Sequence, residues 1–151
     1  MKKTERIALV QRVVEDLERR RAEALALCEQ RLREARNRCQ ELETYRMHYL
    51  RDFNRRVQSG LDGAMVRDYQ VFLGRLEEAL QHQNQLVAQT EQQRASELDS
   101  WRGAAMRSAQ IDTLAAHWRA EENGLEERRE QRETDERSQQ HWSRGRPHRV
   151  G

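Results

Sequence analysis

The sequence predicts an all-α chain: a long antiparallel two-helix coiled-coil hairpin with an overhanging C-terminal helix and a disordered basic tail. Three observations carry this. Apolar residues recur at steps of 3 and 4 over most of the length. A single glycine-flanked break, at residues 59–63, interrupts them. The composition is also very polar: of 151 residues, 36% are hydrophobic and 36% charged, with 7 Gly and 1 Pro. A layered globule needs more apolar side chains and more turns, which excludes an all-β fold or a βαβ enzyme. So polar a chain could instead be disordered. The periodicity opposes that over about 120 residues.

The first helix is expected over about residues 5–58. Ile7, Val10, Val14 and Leu17 step by 3, 4 and 3. Arg21 interrupts, and Leu25, Cys28, Leu32, Ala35, Cys39 and Leu42 resume the alternation. Tyr49 and Phe53 keep its register. Spacing of 3 and 4 is a coiled-coil seam, and the 4-4 step from Leu17 through Arg21 to Leu25 reads as a stutter. Cys28 and Cys39 sit on this one helix, about 16 Å apart at 1.5 Å per residue. That is too far for a disulfide. They read as small seam residues.

The turn is Ser59-Gly60-Leu61-Asp62-Gly63, with Asp62 as the N-cap of the second helix. That helix is expected over about residues 64–138. Tyr69, Leu73, Leu76, Leu80, Gln83 and Val87 step by 4, 3, 4, 3 and 4. Thr90 and Arg94 carry the register weakly to Leu98, Trp101 and Ala105. Ile111, Leu114, Trp118 and Leu125 extend the apolar face more loosely. A five-residue connection favours antiparallel neighbours whose numbers add to about 122. Phe53 then faces Tyr69, Leu42 faces Leu80, Ala35 faces Val87 and Leu17 faces Ala105.

Charge agrees. Residues 1–60 hold 15 basic and 10 acidic side chains, net +5; residues 61–126 hold 6 and 11, net −5. Opposite arms attract in a hairpin, whereas parallel self-pairing sets like charges together. Pairing runs out near residue 118. Residues 119–138 should overhang as a lone polar helix. Residues 139–151 read as the disordered tail. Residues 1–138 form one hairpin domain in this reading.

No catalytic constellation stands out. His48, His82, His117, His141 and His148 are scattered singly, with no HExxH, CxxC or phosphate-cradling loop. No metal, cofactor or enzymatic activity is expected. No apolar run approaches the roughly 20 residues of a spanning helix, nor is there a signal-peptide core. A cytoplasmic protein without direct membrane insertion is expected. Net charge is only +2, and Arg runs such as Arg19-Arg20-Arg21 read as solvated faces rather than a nucleic-acid site.

The informative cluster lies beside the turn. All 3 Tyr and both Phe fall between positions 45 and 72. Leu42, Tyr49, Phe53, Tyr69 and Leu76 fit the seam. Tyr45 and Phe72 stand one step off it and, with Ala79, should form an apolar strip along the outside. Such a strip is either a widened core or a place where a partner docks.

The spacing Leu42-x-x-Tyr45-x-x-x-Tyr49-x-x-x-Phe53, then Gly60, then Tyr69-x-x-Phe72-Leu73-x-x-Leu76-x-x-Ala79-Leu80 resembles the FliJ family. These are small coiled-coil proteins of the bacterial flagellar type III export apparatus. The resemblance implies a non-enzymatic stalk. Its open end engages the hexameric export ATPase, and its turn-side strip contacts the linker of the membrane export-gate protein. Such a stalk also binds and escorts export chaperones, and associates peripherally with the inner membrane through the apparatus. The gate-facing strip maps onto Leu42, Tyr45, Tyr49, Phe72, Leu76 and Ala79. Two further strip positions hold Arg38 and Gln83, where Gln and His would be expected. Val10, Val14, Leu17, Trp101 and Trp118 are placed at the ATPase end by position alone. The equivalent stalk of a virulence injectisome is the nearest alternative. An Arg-rich nucleic-acid or ribosome-associated coiled coil is a more distant one.

Overall fold

The computed structural model describes residues 1–145. Helix α1 spans Lys3–Ser59 and helix α2 spans Gly63–Gly145, with no strand among the described residues. The turn closes as its residue types dictate. Gly60 takes the left-handed conformation, φ +91°, that ends a helix without a Cβ clash, and its N–H bonds the Val57 carbonyl at 3.3 Å. Asp62 Oδ1 accepts the Met65 N–H at 2.9 Å, the expected N-cap. Helix α2 continues to Gly145, so residues 139–145, expected to be disordered, are helical. With no Pro before Pro147, nothing in these residues breaks the helix, and the last turns propagate from the helix behind them. Residues 146–151 of the expected tail lie outside the described residues.

The chain divides into two compact units. The turn unit, Glu18–Ala104, holds α1 and α2 as an antiparallel helical hairpin. Its cross-helix pairs follow the expected register: Asp52 with Tyr69, Arg46 with Glu77, Cys39 with Asn84 and Glu29 with Arg94. Cys28, Leu32, Ala35, Leu76 and Leu80 are buried, and Thr90 is buried among them. Thr90 Oγ1 donates to the Leu86 carbonyl, so its burial leaves no orphan hydroxyl. Gln83 reaches across to donate to the Ala35 carbonyl at 2.9 Å.

The terminal unit pairs Met1–Leu17 with Ala105 and the residues after it. The two stretches are again antiparallel, with Gln11 bonded to Asp112 and Lys2 to Glu122. Two expectations fail here. Val10 is not a seam residue: it is 42% exposed, while Gln11 is half-buried. The seam on α2 is not Leu114 and Leu125, both exposed, but Ser108, Ile111, Ala115 and Trp118. Ala115 is 0% exposed. Small residues there leave room for Ile7 and Val14 opposite. The half-buried Gln11 thus carries the 4-and-3 spacing from Ile7 to Val14. From Glu126 to Gly145 every residue is exposed, as the overhang requires.

Candidate partner-binding surface

Five rings form a ladder beside the turn. Phe53 lies 5.1 Å from Tyr69, Tyr69 lies 4.9 Å from Tyr49, and Tyr49 lies 4.4 Å from Phe72. Phe72 then meets Tyr45 edge-on at 6.1 Å. Spacing of 4 residues along α1 stacks Tyr45, Tyr49 and Phe53 on nearly one face, and α2 supplies Tyr69 and Phe72 between them. Offset and tilted rings at these distances are favourable pairs.

The ladder is graded in exposure. Leu76 is buried, and Leu42, Tyr49, Phe53, Tyr69 and Phe72 are half-buried. Tyr45 is 54% exposed and Ala79 is also exposed. The strip residues are therefore contiguous but not alike. Phe72, expected on the outside with Tyr45, is wedged between Tyr45 and Tyr49. Tyr45 borders an open groove on α1 lined by Asn37, Gln40, Glu41, Thr44 and His48.

Two tyrosines are tuned by this setting. Tyr69 Oη donates to Asp52 Oδ2 at 2.7 Å, and that bond holds its hydroxyl above the usual 10.0. Desolvation raises Tyr49 in the same direction. Neither shift brings a phenol near neutral pH, so both remain protonated donors.

At the terminal unit, Glu122 grips the first turn of α1. Its carboxylate accepts Thr4 Oγ1 at 2.5 Å and Lys2 Nζ at 3.2 Å, which together hold it below the usual carboxylate range. Lys3 Nζ lies 4.1 Å from the Trp118 ring centroid, a cation–π contact that partly covers the indole. Val14 and Leu17 are half-buried in this unit, and Val10 is exposed. Trp101, in the turn unit, is half-buried.

Sequence reasoning missed Ala104, Ser108 and Ala115 as seam residues, all buried. Holding the Tyr69–Val87 alternation strictly onward, whatever residue it met, would have landed on each of them. It also missed the Thr4–Glu122 clasp, for which two polar residues far apart in sequence give no local signal.

No group of three or more His, Cys, Asp or Glu side chains could hold a metal among the described residues. No described helix is long and apolar enough to cross a membrane. In the turn unit the two helices form an antiparallel hairpin that carries the aromatic ladder on its surface. The chain belongs to the FliJ family: the family model described as flagellar FliJ protein matches residues 2–147. No curated protein and no solved structure matches the chain in the corresponding searches. Membership makes it a component of the flagellar type III protein export apparatus, a family of non-enzymatic proteins.

Proposed function

We propose that this chain is a stalk of the flagellar export apparatus. It engages the export ATPase ring, couples it to the linker of the membrane export-gate protein, and binds and escorts export chaperones. Its place is cytoplasmic, held peripherally at the inner membrane through those partners. The observation that carries the gate contact is Tyr45, more than half exposed at the edge of an otherwise packed aromatic ladder. An aromatic ring left more than half in water contributes less to the core than a buried one. The same ring is a strong anchor once a partner desolvates it. Leu42, Tyr49, Phe72, Leu76 and Ala79 support that ring from behind or continue its surface. For the ATPase end the support is slighter: Val10 is exposed, and Val14, Leu17, Trp101 and Trp118 are partly so.

Tyr45→Ala separates docking from folding. Truncating a side chain this exposed changes stability by about 0.5 kcal/mol or less. Loss of an anchor costs about 2 kcal/mol or more of binding, roughly thirty-fold in affinity. Thermal unfolding and titration with the purified gate linker read the two separately. A variant that unfolds early, or that binds the linker like wild type, would refute the docking role of Tyr45.

A further inference from the structure

The two flanks of the seam in the turn unit are built differently. One is closed by three cross-helix ion pairs: Arg36 with Glu91 at 3.0 Å, Arg46 with Glu77 at 3.5 Å and Arg94 with Glu29 at 3.5 Å. On the other flank neither Arg31 nor Arg38 forms an ion pair across to α2. This flank consists of two rows at seven-residue spacing: Arg31, Arg38 and Tyr45 on α1, and Phe72, Ala79 and Leu86 on α2.

Contact between Tyr45 and Phe72 fixes the first rung of this flank. One heptad further from the turn the equivalent positions hold Arg38 and Ala79. Two heptads further they hold Arg31 and Leu86. Leu86 is 47% exposed, nearly as much as Tyr45. Arg38 meets only Glu41 of its own helix, at 3.4 Å, and both side chains are more than 60% exposed. A surface pair of that kind holds its arginine weakly. The other carboxylates on the α1 side are engaged as well: Glu34 accepts from Gln30 of the same helix, and Asp52, next in the row after Tyr45, accepts from Tyr69 and pairs with Arg55 and Arg56. Along α2 the residues facing this flank, from Phe72 through Arg75, Ala79, His82 and Leu86, include no acid.

We infer that this open flank extends the docking surface one heptad past the strip positions Arg38 and Ala79, to Arg31 and Leu86, and that its occupant is a partner segment with both apolar and acidic side chains. The apolar ones cover Tyr45, Phe72 and Leu86, and the acidic ones meet Arg38 and Arg31. The inference rests on the proposal that the strip docks the gate linker, and it adds the chemistry of what docks there. Guanidinium groups bind carboxylates in paired, planar hydrogen bonds, and they gain strength when an apolar neighbour excludes water. An arginine one heptad row from an exposed leucine meets that condition, whereas on the other flank Arg36, Arg46 and Arg94 already hold a carboxylate across the seam.

The test is a titration of the full-length chain with purified gate linker at low and at moderate salt. The Arg31→Gln, Arg38→Gln double variant should bind about ten-fold more weakly at low salt and lose most of its salt dependence. Leu86→Ala should weaken binding by about three-fold. These are exposed positions, and circular dichroism checks that each variant is folded. Wild-type affinity in both variants, with Tyr45→Ala impaired, overturns this extension and leaves the strip in place. Wild-type affinity in all of them, or no binding by the wild type, overturns the strip as well. If sedimentation instead shows that the variants disperse a dimer of this chain without changing linker affinity, the occupant is a second copy and the inference fails.

Discussion

The turn unit and the terminal unit use the same two helices but hold them together by different means. The turn unit carries the five-ring ladder and buries Leu32, Leu76 and Leu80, together with smaller residues such as Cys28 and Ala35. In the terminal unit the buried residues of α2 are small, Ser108 and Ala115, and polar bonds supplement them. Gln11 bonds both Asp112 and Arg119, and Glu122 bonds Thr4 and Lys2. Burying a leucine or an aromatic stabilises by about 1.5–3 kcal/mol, and burying an alanine by far less. Exposed polar bonds add little to either. The difference teaches that the aromatic end is built to stay closed while offering one face, and that the terminal end is held by contacts a partner could replace.

The largest expected effect sharpens this contrast from the turn side. Leu76→Ala removes a buried side chain under the ring ladder and should cost roughly 2–5 kcal/mol. Chemical denaturation followed by helix signal would show it as a lower midpoint. A shift of only a few tenths of a kcal/mol would mean that the ladder is not the stable part.

A smaller effect is expected at the other end. Ala115→Leu puts a larger side chain at a fully buried seam position, and should cost about 1–3 kcal/mol. Amide exchange should speed up in residues 1–17 and 105–122 while the amides around Tyr49 and Phe72 stay protected. Uniform acceleration along both helices would break the distinction between the units.

The smallest effect is in pH dependence. Tyr69 donates to Asp52 only while its phenol is protonated, so its folded value lies above 10.0. A raised value means the contribution is fully present below pH 10.0 and fades as pH climbs through the folded value. Tyr69→Phe should therefore flatten part of the alkaline loss of stability. Glu122 works in the opposite sense. Its value is depressed by Thr4 and Lys2, so its contribution is present above the ordinary carboxylate range and is lost as pH falls below it. Glu122→Gln should loosen the first turn of α1, visible as faster exchange at residues 5–8, and should remove that acid sensitivity.

Much of the fold was legible in the sequence because the turn half of the chain states it redundantly. The 3-and-4 alternation, Gly60 and Asp62 at the turn, and opposite arm charges all point to one register. Phe53 against Tyr69 was readable from the fold point alone, and the rings lie 5.1 Å apart. The terminal half was harder for a physical reason. Its seam is carried by Ala, Ser and Gln, which occur as often on surfaces, so Val10, Leu114 and Leu125 drew the register to the wrong face. The continuation of helix through residues 139–145 was hidden by composition, since a polar sequence reads the same whether it is a lone helix or a coil. The aromatic cluster was visible by spacing. The wedging of Phe72 was not, because heptad count fixes a residue's row but not how far a neighbouring ring draws it inward.

The central claim is that one flank of the turn unit docks the export gate and the ion-paired flank does not. Site-specific photocrosslinking in motile cells tests it most directly. A benzophenone amino acid is placed at position 45 or 38 on the open flank, or at position 91 on the closed one. Antibody to the gate protein identifies the product. The account predicts a gate adduct from positions 45 and 38 and none from position 91. An adduct of equal yield from position 91, or none from position 45 in cells that still swim, would contradict it.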